Sequence, residues 1–191
     1  MAEMKNTTGK VGNGGEAMVP AWLDGVLTPV EKYEVHKRGL KHKAVSVFVT
    51  SRGKVLLQRR ALGKYHTPGL WANTCCTHPF WGEAPEACAV RRLEEEMGIA
   101  GLSPVHRGQI EYRADVGGGL TEHEVVEVYR AEAPAGLVPE PDPAEVAAIR
   151  WIDLYDLRAD LARHPERYTP WLRIYMQDHA EALFGDLMQL R

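Results

Sequence analysis

No apolar run in these 191 residues approaches the roughly 20 that a helix needs to cross a bilayer. No basic-then-apolar leader opens the chain, so neither a membrane span nor export is expected. Charge of one sign is also missing, since 23 Lys and Arg against 26 Asp and Glu leave a net charge of −3 and a pI near 6.2. That balance provides no electrostatic footprint for nucleic acid or for an anionic membrane, so the basic residues that matter must act locally. Cysteine is scarce and odd in number, with Cys75, Cys76 and Cys88 the full set. Adjacent Cys75 and Cys76 are poorly placed to pair, which argues for free thiols in a reducing compartment. Repeats are absent. The expectation is a soluble cytoplasmic protein with no nucleic-acid or membrane partner.

What is present suits one domain with a proper core. Residues 1–20 are rich in Gly, Asn, Thr and Lys and read as a flexible tail, leaving 21–191 as a single domain. Segments 43–50 and 54–59 are β-rich and flank the turn chemistry of Ser51-Arg52-Gly53, which predicts a hairpin. Residues 83–97 predict a helix, with Pro85 in its first turn, an apolar stripe of Val90, Leu93 and Met97, and Gly98 as its cap. Two further strands, 110–114 and 122–131, are joined across a Gly-rich connection at 115–119. A proline-spaced loop at 134–143, a short strand at 147–152 and helical patterns at 153–163 and 170–188 complete the chain. Strands first, a helix between them and helices at the end predict an α+β sandwich.

The chemistry concentrates at 73–81, Asn-Thr-Cys-Cys-Thr-His-Pro-Phe-Trp, where Cys76 stands two residues before His78. Thiols and imidazoles move protons and hold metals near neutral pH. Taken alone, the motif reads as a buried cysteine pair beside a surface histidine. On the strand at 122–131, however, Glu122 and Glu124 project from one face with His123 opposite. Two such carboxylates form a solvated outer face, or repel unless a cation or a shared proton neutralises them. Adding His36, His42 and His78 makes three imidazoles and two carboxylates. That set suits Mn²⁺, Zn²⁺ or Fe²⁺ and is too rich in nitrogen for Mg²⁺ or Ca²⁺.

On the helix, Cys88, Arg92 and Glu96 recur at a spacing of four, with Arg91 and Glu95 beside them. They read as i,i+4 salt bridges on a wet surface, or as Arg92 facing an anion and Glu96 a hard cation that bridges phosphate oxygens. Arg59, Arg60 and Lys64 then supply the rest of an anion clamp, or simply face solvent.

These pieces follow one another in a recognisable order. Arg-Arg-Ala-x-x-Lys at 59–64 precedes Pro-Gly-Leu-Trp-Ala-Asn-Thr-Cys-Cys-Thr-His-Pro at 68–79. Arg-Arg-Leu-Glu-Glu-Glu-Met-Gly at 91–98, Tyr112-Arg113, Glu122-His123-Glu124 and Thr169-Pro170-Trp171 come next. From about residue 31 to 171 the chain resembles the type 1 isopentenyl-diphosphate Δ-isomerases of the Nudix fold superfamily. The resemblance implies an α+β fold, a Nudix-like mixed β-sheet sandwiched between helices. It also implies interconversion of isopentenyl and dimethylallyl diphosphate in isoprenoid biosynthesis. In that reaction C4 is protonated and C2 loses a proton, through a cation-like centre at C3.

By the same resemblance Cys76 matches the essential thiol, Glu124 its acidic partner with Tyr112 nearby, and Trp171 an indole over the hydrocarbon. His36, His42, His78, Glu122 and Glu124 match the ligands of a Mn²⁺ or Zn²⁺ site. Cys76 and Glu96 match positions that hold a Mg²⁺ on the diphosphate, and Arg60, Lys64 and Arg92 match diphosphate contacts. Two departures stand out. His36 and His42 are six residues apart, against seven in the best-known bacterial relatives, which makes His36 the weakest expected ligand. Nudix hydrolases carry Arg-Glu-apolar-x-Glu-Glu on this helix, whereas here Arg92 replaces the first Glu, weakening a multi-metal hydrolytic site and strengthening a diphosphate anchor. A Nudix pyrophosphohydrolase and a non-catalytic diphosphate-binding module are the rival readings. The first has no need of Cys76 and Trp171, and the second no need of a Cys76–Glu124 pair.

Overall fold

The computed structural model describes residues 17–188. The chain runs through β1 (Met18–Leu23), β2 (Val26–Glu31), α1 (Lys32–Arg38), β3 (His42–Ser51) and β4 (Lys54–Arg60). Two short strands follow, β5 (Trp71–Ala72) and β6 (Cys75–Thr77), and then α2 (Pro85–Met97). A long hairpin, β7 (Val105–Gly117) and β8 (Leu120–Glu132), leads to β9 (Val146–Asp153). Helices α3 (Leu154–Arg163), α4 (Pro170–Asp178) and α5 (Ala180–Met188) close the chain, with a 3-10 turn at Pro165–Arg167.

Strand β3 organises the mixed sheet. It runs parallel to β8 from His42↔Glu124 to Thr50↔Glu132, and pairs antiparallel with β6 at Val45–Val47. Its far end turns into β4, which β9 and β5 flank. The alternation of β3 divides the core in two. Val45, Val47 and Val49 pack with Cys88, Ala89, Leu93 and Met97 of α2. Ala44 and Phe48 pack beneath the C-terminal helices with Leu157, Leu172, Tyr175 and Phe184. Each large apolar side chain buried this way contributes about 1.5–3 kcal/mol. The sheet is thus held between α2 on one face and α3–α5 on the other.

The expected hairpin at 43–59 and the expected α2, β7, β8, β9 and α3 are all present, with shifted ends. Helix α2 starts at Pro85, because the Glu83 carboxylate accepts from Phe80 N at 2.8 Å and binds Arg91. Its buried stripe is Ala89, Leu93 and Met97 with Cys88, while Val90 is 39% exposed. Small residues at 88 and 89 let the helix approach the sheet closely, and Val90 is turned outward. Gly98 caps α2 in the left-handed region at φ 62°, and a Cβ there would lie 2.5 Å from Glu140 O. Only glycine fits. The loop beyond is tied to the helix end by Glu140 N→Met97 O and Asp142 N→Glu96 O, both 3.0 Å.

The β7–β8 hairpin extends past its expected ends to a Gly118-Gly119 turn with φ of 64° and 75°, a left-handed pair that glycine adopts without strain. The single helical pattern at 170–188 is divided at His179 (φ −128°, ψ 4°) into α4 and α5. The break lets α5 turn back onto the sheet, where Arg130 of β8 donates to Leu183 O at 3.0 Å and Asp186 Oδ1 at 2.6 Å. At the other end, the expected tail 1–20 lies outside the described residues as far as residue 16. Its last residues are not tail: Met18–Pro20 begin β1, because Val19 and Ala21 bury against Val30 and Val35.

Candidate active site

Strand register assembles the site. Tyr112 of β7, Glu124 of β8 and His42 of β3 lie in one row across three strands, on the face that α4 covers. Glu122, two residues earlier, shares that face, whereas His123 points away and meets Glu111 Oε1 at 3.2 Å. The same alternation separates the adjacent cysteines of β6. Cys75 is buried in the α2 core, and Cys76 turns to the opposite face and lines a pocket with Glu122, Glu124 and Trp171. All three cysteines are free.

The expected ligands converge. His36, His42, His78 and Glu122 present ligand atoms within 4.8 Å of one another, an arrangement that can hold a metal ion. Glu124 Oε1 adjoins them, 3.1 Å from His78 Nε2 and 3.7 Å from His42 Nε2. His36 Nδ1 donates to Lys32 O at 2.6 Å and His42 Nδ1 to Leu40 O at 2.8 Å, so both rings turn Nε2 inward. There His36 Nε2 and His42 Nε2 stand 3.1 and 3.4 Å from Glu122 Oε2, a buried oxygen that accepts no well-directed hydrogen bond. The His42 and His78 Nε2 atoms are 3.1 Å apart. Acceptors pointed at acceptors call for a cation between them, so the residues fit a divalent metal. A proton on His42 answers part of that demand: burial opposes its charge, yet Glu122 and Glu124 outweigh burial and raise its pKa to about 10. Burial lowers the pKa of His78 to about 3 and leaves its ring a neutral donor. The short His36–His42 spacing is spanned by the end of α1 and a left-handed cap at Gly39, and His36 is fully buried within the cluster.

Beside the cluster stand an acid and a base. Burial, reinforced by Glu124, pushes the Cys76 thiol well above its ordinary pKa, so sulfur keeps its proton. Burial and Glu122 push Glu124 upward, but His42 and His78 beside it hold it below the usual carboxylate range, and it is ionised. Burial and Glu124 raise Tyr112, whose hydroxyl donates to Glu124 Oε2. Trp171 lies on α4 with its Nε1 donating to Asn73 Oδ1 at 3.1 Å, and Asn73 in turn donates to Cys75 O and Val47 O. The indole is thereby fixed to the strand that carries Cys76.

The far side of the pocket is cationic. Arg60, Lys64 and Arg92 all line it. Arg92 bonds Glu96 Oε1 at 3.0 Å through Nε, and Gln58 Nε2 donates to Glu96 Oε2 at 3.2 Å. Glu96 is buried, so this pair is not a wet surface bridge; that description fits the Arg91–Glu95 bridge, away from the pocket. Glu96 sits with the cations, while Arg60 holds its guanidinium carbon 5.4 Å from the Trp171 ring centre.

Several pocket residues escape the sequence reading. Lys32 belongs to the cationic wall, and partial burial and Lys64 lower its pKa. Its spacing of four from His36 carries the signal, but only once residues 32–38 are known to be helical. His66 places Nε2 3.2 Å from Glu122 Oε1. Glu145 lies between Lys64 Nζ, at 2.5 Å, and Arg92 Nη2, at 3.8 Å.

A family model described as the NUDIX domain matches residues 40–172. An isopentenyl-diphosphate Delta-isomerase of Dinoroseobacter shibae is 66% identical over 168 residues, which cover 88% of this chain and 96% of that protein. The chain belongs to the isopentenyl-diphosphate Delta-isomerase family within the NUDIX fold. A family member from Cereibacter sphaeroides is likewise 66% identical, over 89% of this chain and 96% of its own length. Among solved structures, a MutT NUDIX hydrolase from Burkholderia pseudomallei has a TM-score of 0.57 at 26% identity, covering 73% of this chain and 98% of that one. A MutT protein from Methanosarcina mazei shares the fold, with a TM-score of 0.58 at 18% identity over 72% of this chain and 91% of that one. Within this shared fold, the isomerase family chain places a guanidinium at position 92, against Glu96.

Proposed function

We propose that this chain interconverts isopentenyl diphosphate and dimethylallyl diphosphate, a step of isoprenoid biosynthesis, by adding a proton to one carbon and removing one from another. One observation carries the reading: a protonated thiol, Cys76, and an ionised carboxylate, Glu124 with its Tyr112 donor, line one pocket whose far wall is cationic. An isolated alkene is a very weak base, so moving its double bond requires a positioned acid and a positioned base together.

Lys32, Arg60, Lys64 and Arg92 bind the diphosphate, where guanidinium forks and ammonium charges match its oxygens. The alkenyl end then lies against Cys76, Glu124 and Trp171. The S–H proton passes to C4, Glu124 takes the C2 proton, and Tyr112 holds the carboxylate in place. Trp171, its nitrogen engaged by Asn73, offers a ring face that stabilises positive charge at C3 without attacking it. The site must exclude water from the alkenyl end, because water would trap the cation as an alcohol.

His36, His42, His78, Glu122 and Glu124 are the proposed holders of Mn²⁺ or Zn²⁺, and Glu96, with Cys76, of a Mg²⁺ that accompanies the diphosphate. Such metals supply charge that sets the proton affinity of Glu124 and screens the phosphate oxygens. Incubation with isopentenyl diphosphate in D₂O is expected to give deuterated dimethylallyl diphosphate. Release of phosphate would favour a pyrophosphohydrolase, and binding without either outcome a diphosphate-binding module.

A further inference from the structure

Strand β6 pairs with β3 so that Ser46 stands directly opposite Cys76. Ser46 Oγ donates to Cys76 Sγ at 3.3 Å and lies 2.9 Å from Tyr175 Oη. Ser46 and Tyr175 are both fully buried. A hydroxyl has one hydrogen to give. With that hydrogen on sulfur, Ser46 meets Tyr175 through a lone pair, and the phenol must be the donor. With Ser46 as the donor to sulfur, the order runs Tyr175 to Ser46, Ser46 to Cys76.

Packing alone does not call for this chain. The neighbours of Ser46 on the same face of β3 are Ala44 and Phe48, and an apolar residue at 46 opposite a phenylalanine at 175 would fill the same core. Two buried hydroxyls persist in such a place only when each is satisfied, and here the last hydrogen goes to the reactive sulfur.

We propose that Ser46 and Tyr175 are positioning residues for the Cys76 thiol, aiming its S–H into the pocket and supporting the sulfur as the proton leaves. The proposal rests on the isomerase reading given above. In the transfer the S–H bond breaks and its electron pair stays on sulfur, while the alkene π pair forms the new C–H bond at C4 and C3 becomes cationic. Ser46 keeps its own proton throughout. Its hydrogen bond strengthens as sulfur gains negative charge, because a charged acceptor binds a donor more tightly than a neutral one. The interaction thus favours the transition state over the bound alkene, and its loss falls on kcat. Tyr175, donating from behind, polarises the Ser46 hydroxyl. Helix α4 consequently serves the site twice, through Trp171 and, one turn later, Tyr175.

A double-mutant cycle tests the chain. Ser46→Ala is expected to lower kcat about tenfold or more with KM within about twofold, the size of a lost charged hydrogen bond. Tyr175→Phe, which removes one oxygen and keeps the ring, is expected to lower kcat less. Adding it to Ser46→Ala should cost nothing further, since its effect travels through Ser46. Additive losses, or losses that appear in KM alone, would overturn the proposal. A second readout needs no turnover: the infrared S–H band of Cys76, isolated by difference against Cys76→Ala, should shift in both Ser46→Ala and Tyr175→Phe. A band that stays in place in the folded Tyr175→Phe protein sinks the positioning role, whether or not the isomerase reading stands.

Discussion

The two faces of β3 share one backbone and do different work. The face toward α2 carries Val45, Val47 and Val49, which pack with Cys75 and the apolar side chains of α2. The face toward α4 carries His42 and then Ser46, the latter between Ala44 and Phe48, and it meets Cys76, Glu124 and Tyr175. An offset of one residue decides whether a side chain joins the core or the chemistry. The lesson is that alternation places a reactive polar group beside a packed layer and leaves that layer intact, because the pleat keeps the two apart.

The adjacent cysteines break that comparison most directly. Cys76→Ala is expected to lower isomerisation by about 10³-fold or more, since it removes the acid from the pocket. Cys75→Ala should keep its turnover and lose only about 1 kcal/mol of stability, measured by urea unfolding. Equal activities would show that the pleat does not sort the two.

Metal content sharpens the comparison at the His42 end. Dialysed protein is expected to retain Zn²⁺ or Mn²⁺ by elemental analysis, and His78→Ala or Glu122→Gln to lose it. His36→Ala should lose as much, not the smaller share implied by its short spacing from His42, because its ring is buried and anchored through Nδ1. Retention of metal by all three variants would remove the cluster as a ligand set.

Across the pocket, Lys32→Ala, Arg60→Ala or Arg92→Ala should act on binding, raising KM by about 1.5–3 kcal/mol for each charged hydrogen bond lost. Unchanged KM values would reduce these cations to structural salt bridges. The smallest effect belongs to Trp171. A ring face distinguishes the cation from the alkene by about 0.5–2 kcal/mol, so Trp171→Phe should keep more of kcat than Trp171→Leu. Equal values would leave the indole as packing.

Much of this arrangement was legible in the sequence, and the limits have physical causes. Strands β3, β4, β7, β8 and β9 and helices α2 and α3 announce themselves through periodicity over many residues, bounded by Gly and Pro. Strands β5 and β6, of two and three residues, are too short to show any period. They exist because β3 and β4 offer edges to pair with. Strands β1 and β2 contain Pro20 and Pro29, which argue against strands locally, yet the two prolines sit opposite each other in register and the pairing survives. The proposed ligands His42, His78, Glu122 and Glu124 were readable because their residue types are rare in combination. Ser46, Tyr175, His66 and Glu145 are ordinary residues whose roles come from neighbours distant in sequence, and no local pattern singles them out.

The loop tied to the end of α2 at Gly98 has a consequence for how the pocket fills. By fixing the chain at residues 140 and 142, it delivers Glu145 between Lys64 and Arg92. Burial pushes the Glu145 carboxyl upward, but Lys64 and Arg92 bring it below its ordinary pKa, so it is a resident anion. The cationic wall therefore folds already neutralised in part, sparing the protein the mutual repulsion of crowded ammonium and guanidinium groups. An arriving diphosphate does not enter a vacant basin of positive charge. It competes with a tethered carboxylate, so its capture is an exchange of anions in which a singly charged ligand gains little and a multiply charged one gains much.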